Sequence, residues 1–152
     1  SFASVGALWL EHNAITENLR FTDTLLIRLN LLLLLLVSFL PFPTGLLSDF
    51  HGNAEAVRVA VTLYGITLLA ASTMIAVLWR HAVRARLVRE DLSDEDAHTL
   101  AKRLNPSLWA YLGFILAGLV VPRLAVLGYL AIAVYLILPF GLFRRRRTTR
   151  EG

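Results

Sequence analysis

Residues 25–47, LLIRLNLLLLLLVSFLPFPTGLL, contain six consecutive leucines (Leu31–Leu36) and a single charge, Arg28, near their start. An apolar run of about 20 residues matches the hydrocarbon thickness of a bilayer. Backbone N–H and C=O groups have no water partner at that depth and must bond within their own segment, which makes the run a helix. Its punctuation is specific: Asn30 is the polar residue near its base, and Pro41 and Pro43 mark its far end.

Composition extends this constraint to the whole chain. Hydrophobic residues make up 57% and charged residues 17% of the 152 positions, against about 45–50% and about 25% in soluble domains. A water-soluble fold would have too little polar surface to cover so much apolar material. The absence of cysteine excludes disulfides, thiolate nucleophiles and cysteine metal sites. Fifteen basic residues against eleven acidic ones admit a nucleic-acid partner. The basic residues flank apolar runs, however, so the lipid bilayer is the expected partner and nucleic acid is not. The sequence opens on Ser1-Phe2 without a basic n-region or an A-x-A site, unlike a signal peptide; it reads as a fragment or processed form whose N-terminus lies upstream.

Five apolar segments follow one another, at about 2–19, 23–47, 54–82, 107–121 and 123–143, and predict an all-α, polytopic transmembrane helix bundle forming a single domain over residues 1–152. Thr22 is a candidate cap for the second helix with Asp23 in its first turn, and Pro41-Phe-Pro43 kinks or ends it. Residues 48–53 read as a loop. Residues 93–104, SDEDAHTLAKRL, predict a short cytoplasmic helix capped by Ser93, with Lys102 and Arg103 at its end and Asn105-Pro106 opening the fourth span. There is no internal repeat.

Orientation follows from basic residues. Arg20, Arg28, Arg80, Arg84, Arg86, Arg89, Lys102, Arg103, Arg144–Arg147 and Arg150, 13 of the 15, fall on one side of an alternating five-span topology; Arg58 and Arg123 fall on the other. The C-terminus is therefore expected in the cytoplasm.

Polar residues inside the spans are the candidates for function. Trp9, His12, Asn13 and Thr16 share one face of the first helix, with Glu11 and Glu17 off that stripe. At about 1.5 Å per residue, His12 and Asn30 lie at similar depth, roughly 12–14 Å from the turn near residues 20–21. Trp9, His12 and Asn30 can then meet across two neighbouring helices, in bonds worth about 0.6–2 kcal/mol. The alternative is that these groups merely solvate the cytoplasmic end of the span. His51 falls in an external loop, His81 among arginines at a membrane interface, and His98 on the short soluble helix; they are too scattered for a metal site. Ser72 and Thr73 read as helix back-bonding or packing residues. Gly113 and Ala117, with Gly118 beside them, read as a close-packing stripe. Arg144, Arg145, Arg146 and Arg147 suit anionic lipid or a topogenic stop. No nucleophile motif occurs, and an enzyme is not expected.

SFASVGALWLEHNAIT, NLLLLLLVSFLPFPTGLL and LYGITLLAASTMIAVLWRHAVR resemble the second, third and fourth helices of the TMEM175 (DUF1211) family, and the last two spans resemble its final two helices. The resemblance implies a subunit of a potassium-permeable channel of prokaryotic form. Such subunits have six helices and assemble as a homo-oligomer, a tetramer, in a cell membrane, with potassium as permeating ion and no cofactor. The family's R-x-x-x-F-S-D motif and hydrophobic constriction belong to its first helix. This sequence has no such motif, and many members carry two histidines where it has His12-Asn13. The resemblance thus implies no pore filter in this chain. It makes Trp9, His12 and Asn30 a polar network that supports the pore helix. A secondary transporter or a non-conducting structural membrane subunit is the competing expectation.

Overall fold

The computed structural model describes residues 2–49 and 52–143, with backbone alone for residue 103 and residues 139–143. The described chain is all-α: α1 (Phe2–Thr16), α2 (Thr24–Phe39), α3 (Pro41–Asp49), α4 (Ala54–Arg84), α5 (Asp94–Val120) and α6 (Pro122–Phe143). Two stretches among the described residues are long and apolar enough to cross a membrane by length and composition, Thr24–Asp49 and Ala54–Arg84; Pro122–Leu138 is apolar and shorter.

Local chemistry sets the boundaries. Thr16 returns its hydroxyl to the carbonyls of His12 and Asn13, and the Asn18 side chain donates to Ala14 O at 2.7 Å, which closes α1. Asp23, and not Thr22, caps α2, its carboxylate accepting from Leu26 N–H at 2.7 Å. The second apolar segment divides in two. Pro41 has no N–H for the Val37 carbonyl, which accepts instead from Leu40 at 3.2 Å. Helix resumes at once as α3 and continues to Asp49, so residues 48 and 49, expected in a loop, are helical. Asn53 caps α4 through Glu55 and Ala56 N–H.

The largest departure from expectation is α5. A short soluble helix over 93–104 and a separate span from residue 107 are one continuous helix, capped by Ser93 through Asp96 N–H at 3.1 Å, with Pro106 inside it. Proline removes one backbone donor here. The carbonyl left without that donor is the one four residues earlier, at Lys102, and the helix nevertheless runs on; beside the proline the Ser107 hydroxyl donates to Leu104 O at 2.8 Å. Pro122 then occupies the first position of α6, where its missing N–H costs nothing.

α4 is the central element: α5, α2, α3, α1 and α6 all pack on it, and α1 and α5 also pack on α6. At 31 residues it reaches roughly 46 Å. Helices surrounded by hydrocarbon gain little from oiliness against one another and depend on close approach. Gly65 of α4 supplies it: a Cβ there would stand 2.1 Å from the Tyr129 hydroxyl and 2.7 Å from Ile115. Of the small residues on α5, Gly118 makes the close contact, against Ala125 of α6, while Gly113 faces open space.

The basic end of the bundle is tied by backbone. Arg20 N–H donates to Leu87 O at 2.8 Å and Arg89 N–H to Asn18 O at 2.9 Å, around an isolated Leu19–Val88 bridge. α4 ends in two reciprocal bonds, Leu87 N–H to Ala82 O and Arg86 N–H to Val83 O, with Arg86 at φ 54° in the left-handed position that glycine usually fills.

Gly65→Ala is expected to lower stability by about 1–3 kcal/mol through overpacking, read as a fall in the thermal unfolding midpoint of the purified protein. An unchanged midpoint would show that Tyr129 and Ile115 yield freely.

Candidate functional site

α1 and α2 diverge from the tied end. α1 packs on α6 and α4 while α2 packs on α4, and this leaves a cleft between them. The cleft is crossed at one level by a hydrogen bond, His12 Nε2 to Asn30 Oδ1 at 2.9 Å. On the tied side of that bridge the cleft holds about 110 Å³ between Ile15, Leu19, Leu26 and Leu78. On the far side it holds about 290 Å³ between Val5, Leu8, Leu33 and Val37. His12 and Asn30 line both parts. The site is thus an apolar trough with a polar pair at its waist.

Trp9 lies one turn before His12, its ring 5.9 Å from the imidazole centroid. The indole is 63% exposed and forms part of the trough wall. The geometry brings together all three residues expected to meet, by direct bond for His12 and Asn30 and by ring contact for Trp9. Thr16 and Asn13 share the stripe but are used locally, Thr16 on its own helix and Asn13 on Glu17 at 2.7 Å. Of the leucine run, Leu33 alone is fully buried, while Leu31, Leu32, Leu34 and Leu35 face outward.

His81, read from sequence as an interfacial residue among arginines, has a specific partner. Its Nε2 lies 2.8 Å from Asp23 Oδ2, joining the cap of α2 to the last turn of α4. Asp23 stands outside the stretch that begins at Thr24. The Leu26 N–H foremost, and His81 after it, hold its carboxyl below the usual aspartate range, with desolvation acting in the other direction. Arg20 and Glu90 form an ion pair nearby. His98 is exposed, and lines a second groove with Arg80, Arg84 and Asp94. Thr73 returns its hydroxyl to Leu69 O at 2.7 Å, while Ser72 is buried without a bond. His51 and Arg144–Arg147 lie outside the described residues. Among the described residues no three His, Asp or Glu side chains are placed to hold a metal ion.

Sequence reasoning missed Glu11 as an interior residue. It is 2% exposed, and its Oε2 has no hydrogen-bond partner. Its position off the polar stripe of α1 was the available signal.

Stability carried by the Asp23 contacts is present while the carboxylate is ionised and is lost as pH falls through its lowered folded value. Asp23→Asn, which keeps a capping acceptor but no charge, should flatten the acid limb of unfolding followed by circular dichroism; an unchanged limb would exclude the contact. A double-mutant cycle on His12→Ala and Asn30→Ala should yield a coupling of about 0.6–1.7 kcal/mol, and strict additivity would mean that the bridge contributes nothing.

With this geometry in place, relatives can be compared. The family model described as the endosomal/lysosomal potassium channel TMEM175 matches residues 1–41, the stretch that carries Trp9, His12 and Asn30. A protein of Chamaesiphon minutus named as a potassium channel is 38% identical over 112 residues, 72% of this chain and 55% of its own length. One of Streptomyces collinus with the same designation is 31% identical over 84 residues, 55% of this chain and 41% of its own. The chain therefore spans about half the length, or less, of these curated relatives. The crystal structure of a lysosomal potassium-selective channel TMEM175 homolog from Chamaesiphon minutus superposes with a TM-score of 0.79 at 30% identity, over 90% of this chain and 68% of that one.

Proposed function

The chain belongs to the TMEM175 family, and from that premise we propose that it is a subunit of a potassium-permeable cation channel in a prokaryotic cell membrane. Its five apolar segments cross the bilayer with the C-terminus in the cytoplasm, and four copies surround a central pore. A further helix bearing the R-x-x-x-F-S-D motif lines that pore and supplies a hydrophobic constriction, where an ion must shed part of its hydration to pass.

The observation that carries this reading is the trough between α1 and α2. Its walls are mostly apolar, the His12–Asn30 pair crosses it at one level with Thr16 and Thr22 nearer the tied end, and the helices on either side of it lie within the residues matched by the family model. That form suits a helix laid into it, with an apolar surface along its length and a polar group at one height. His12, Asn30 and the exposed Trp9 orient the pore helix by hydrogen bonds and ring contact and do not touch the ion. Arg144–Arg147 contact anionic headgroups at the cytoplasmic face.

A proton-coupled carrier is the second reading, favoured by the buried carboxyl of Glu11. Saturation of flux with substrate separates a carrier from a channel.

Reconstituted in liposomes, the intact protein is expected to pass potassium in preference to sodium without saturation. A correctly assembled oligomer that passes no potassium would remove the proposal. His12→Ala should weaken assembly or alter gating, and unchanged oligomer and current would count against the orienting role.

A further inference from the structure

Glu11 precedes His12 by one residue and turns the other way. His12 reaches out to Asn30, while Glu11 enters the bundle interior with 2% of its surface exposed. Three hydroxyls without a partner lie in that core, those of Ser72, Tyr111 and Tyr129, and the first two bear on Glu11. Tyr111 of α5 is fully buried, and its hydroxyl lies beside Ser72 of α4 and in the field of the Glu11 carboxyl. Ser72 is 3% exposed. Glu11 Oε2, Ser72 Oγ and Tyr111 OH all lack a hydrogen bond of good geometry. Three buried oxygens without partners in one core are uncommon, because each forfeits its bond to water.

Among the described residues no positive charge offsets the carboxyl. The titratable groups that reach this interior from the packed elements are Tyr64 of α4, Tyr111 of α5 and Tyr129 of α6, the Tyr129 ring in tilted contact with the other two, and none is a cation. Arg28 of α2, Arg58, Arg80 and Arg84 of α4, Lys102 of α5 and Arg123 of α6 are all exposed. On α1 itself, His12 is engaged with Asn30, and Glu17 with Asn13. An ionised carboxylate left alone in such surroundings is costly; taking up a proton removes the charge. It also gives the carboxyl an O–H to donate, so that three oxygens with three hydrogens can satisfy one another.

We propose that Glu11, with Tyr111 as its hydrogen-bond partner and Ser72 beside that hydroxyl, is an internal proton-binding site of the bundle. Its carboxylate takes a proton from water to become the carboxylic acid and returns it to water. A monovalent metal ion is the less suitable occupant, since three oxygens fall short of the six or more that such ions collect from a hydration shell. α1 carries this site on one face and the polar pair of the trough on the other. Charge appearing at Glu11 therefore acts on the seating of the same helix that holds His12.

The test is infrared difference spectroscopy of the intact protein in lipid nanodiscs, stepped through pH. The wild type should show a carboxylic-acid C=O band that is lost on deprotonation and absent from Glu11→Gln. The band should move to higher frequency in Tyr111→Phe, which removes its partner, and in Ser72→Ala, which removes the hydroxyl beside that partner. A wild-type minus Glu11→Gln difference containing only carboxylate bands across the titration overturns the proposal. So does a band that responds to exchange of sodium for potassium at fixed pH and not to pH. Should Glu11→Gln fail to fold, the Tyr111 and Ser72 variants decide: displaced carboxyl bands support the site and unmoved bands overturn it. The readout is spectroscopic, so a failure of potassium flux would count against the channel reading and leave this result standing.

Discussion

Lipid tails are as apolar as leucine, so burial of oily side chains does not by itself hold two helices together in a bilayer. The architecture follows from that constraint. α4 gathers the other five helices because it offers small residues at contact points: Ala60, Gly65, Ala71 and Ala82 are all buried on it. Tyr129 fills the space at Gly65, and its ring meets those of Tyr64 and Tyr111 at tilted angles. Where backbones do not approach closely, a hydrogen bond is needed to fix the distance. Between α1 and α2 that bond is His12–Asn30.

Much of this was legible from the residues. The all-α membrane class followed from the leucine run and from the shortage of charge. The meeting of His12 and Asn30 followed from equal distances to a shared turn, because helix rise is nearly constant. Ser93 was readable as a cap because its hydroxyl and three following acidic residues have one efficient arrangement.

The rest depended on tertiary detail that has no local signature. Pro41 and Pro106 are the same residue type with different outcomes. The first divides a helix, since Leu40 takes the Val37 carbonyl and the chain restarts; the second lies inside α5, which continues through it. Thr22 and Asp23 are both good caps, and the choice fell on Asp23, which also meets His81 from a helix 58 residues away. Glu11 is one residue from His12 and so at similar depth in the sequence, but depth does not tell which way a side chain turns. Only the packing of α4 and α6 behind α1 makes Glu11 an interior group.

The backbone ties between residues 18–20 and 87–89 have a mechanical consequence. They fasten the end of α1 to the end of α4, while Asp23–His81 holds the start of α2 to the same place. Any widening of the trough is then a swing about this fixed end and not a parallel separation. Displacement grows with distance from that end, small at Leu26 and larger at Asn30, up to Leu40, which is buried in the core. His12–Asn30 spans the trough partway along that arm, and beyond Pro41 the short α3, packed on α4, holds the far end of α2 in turn.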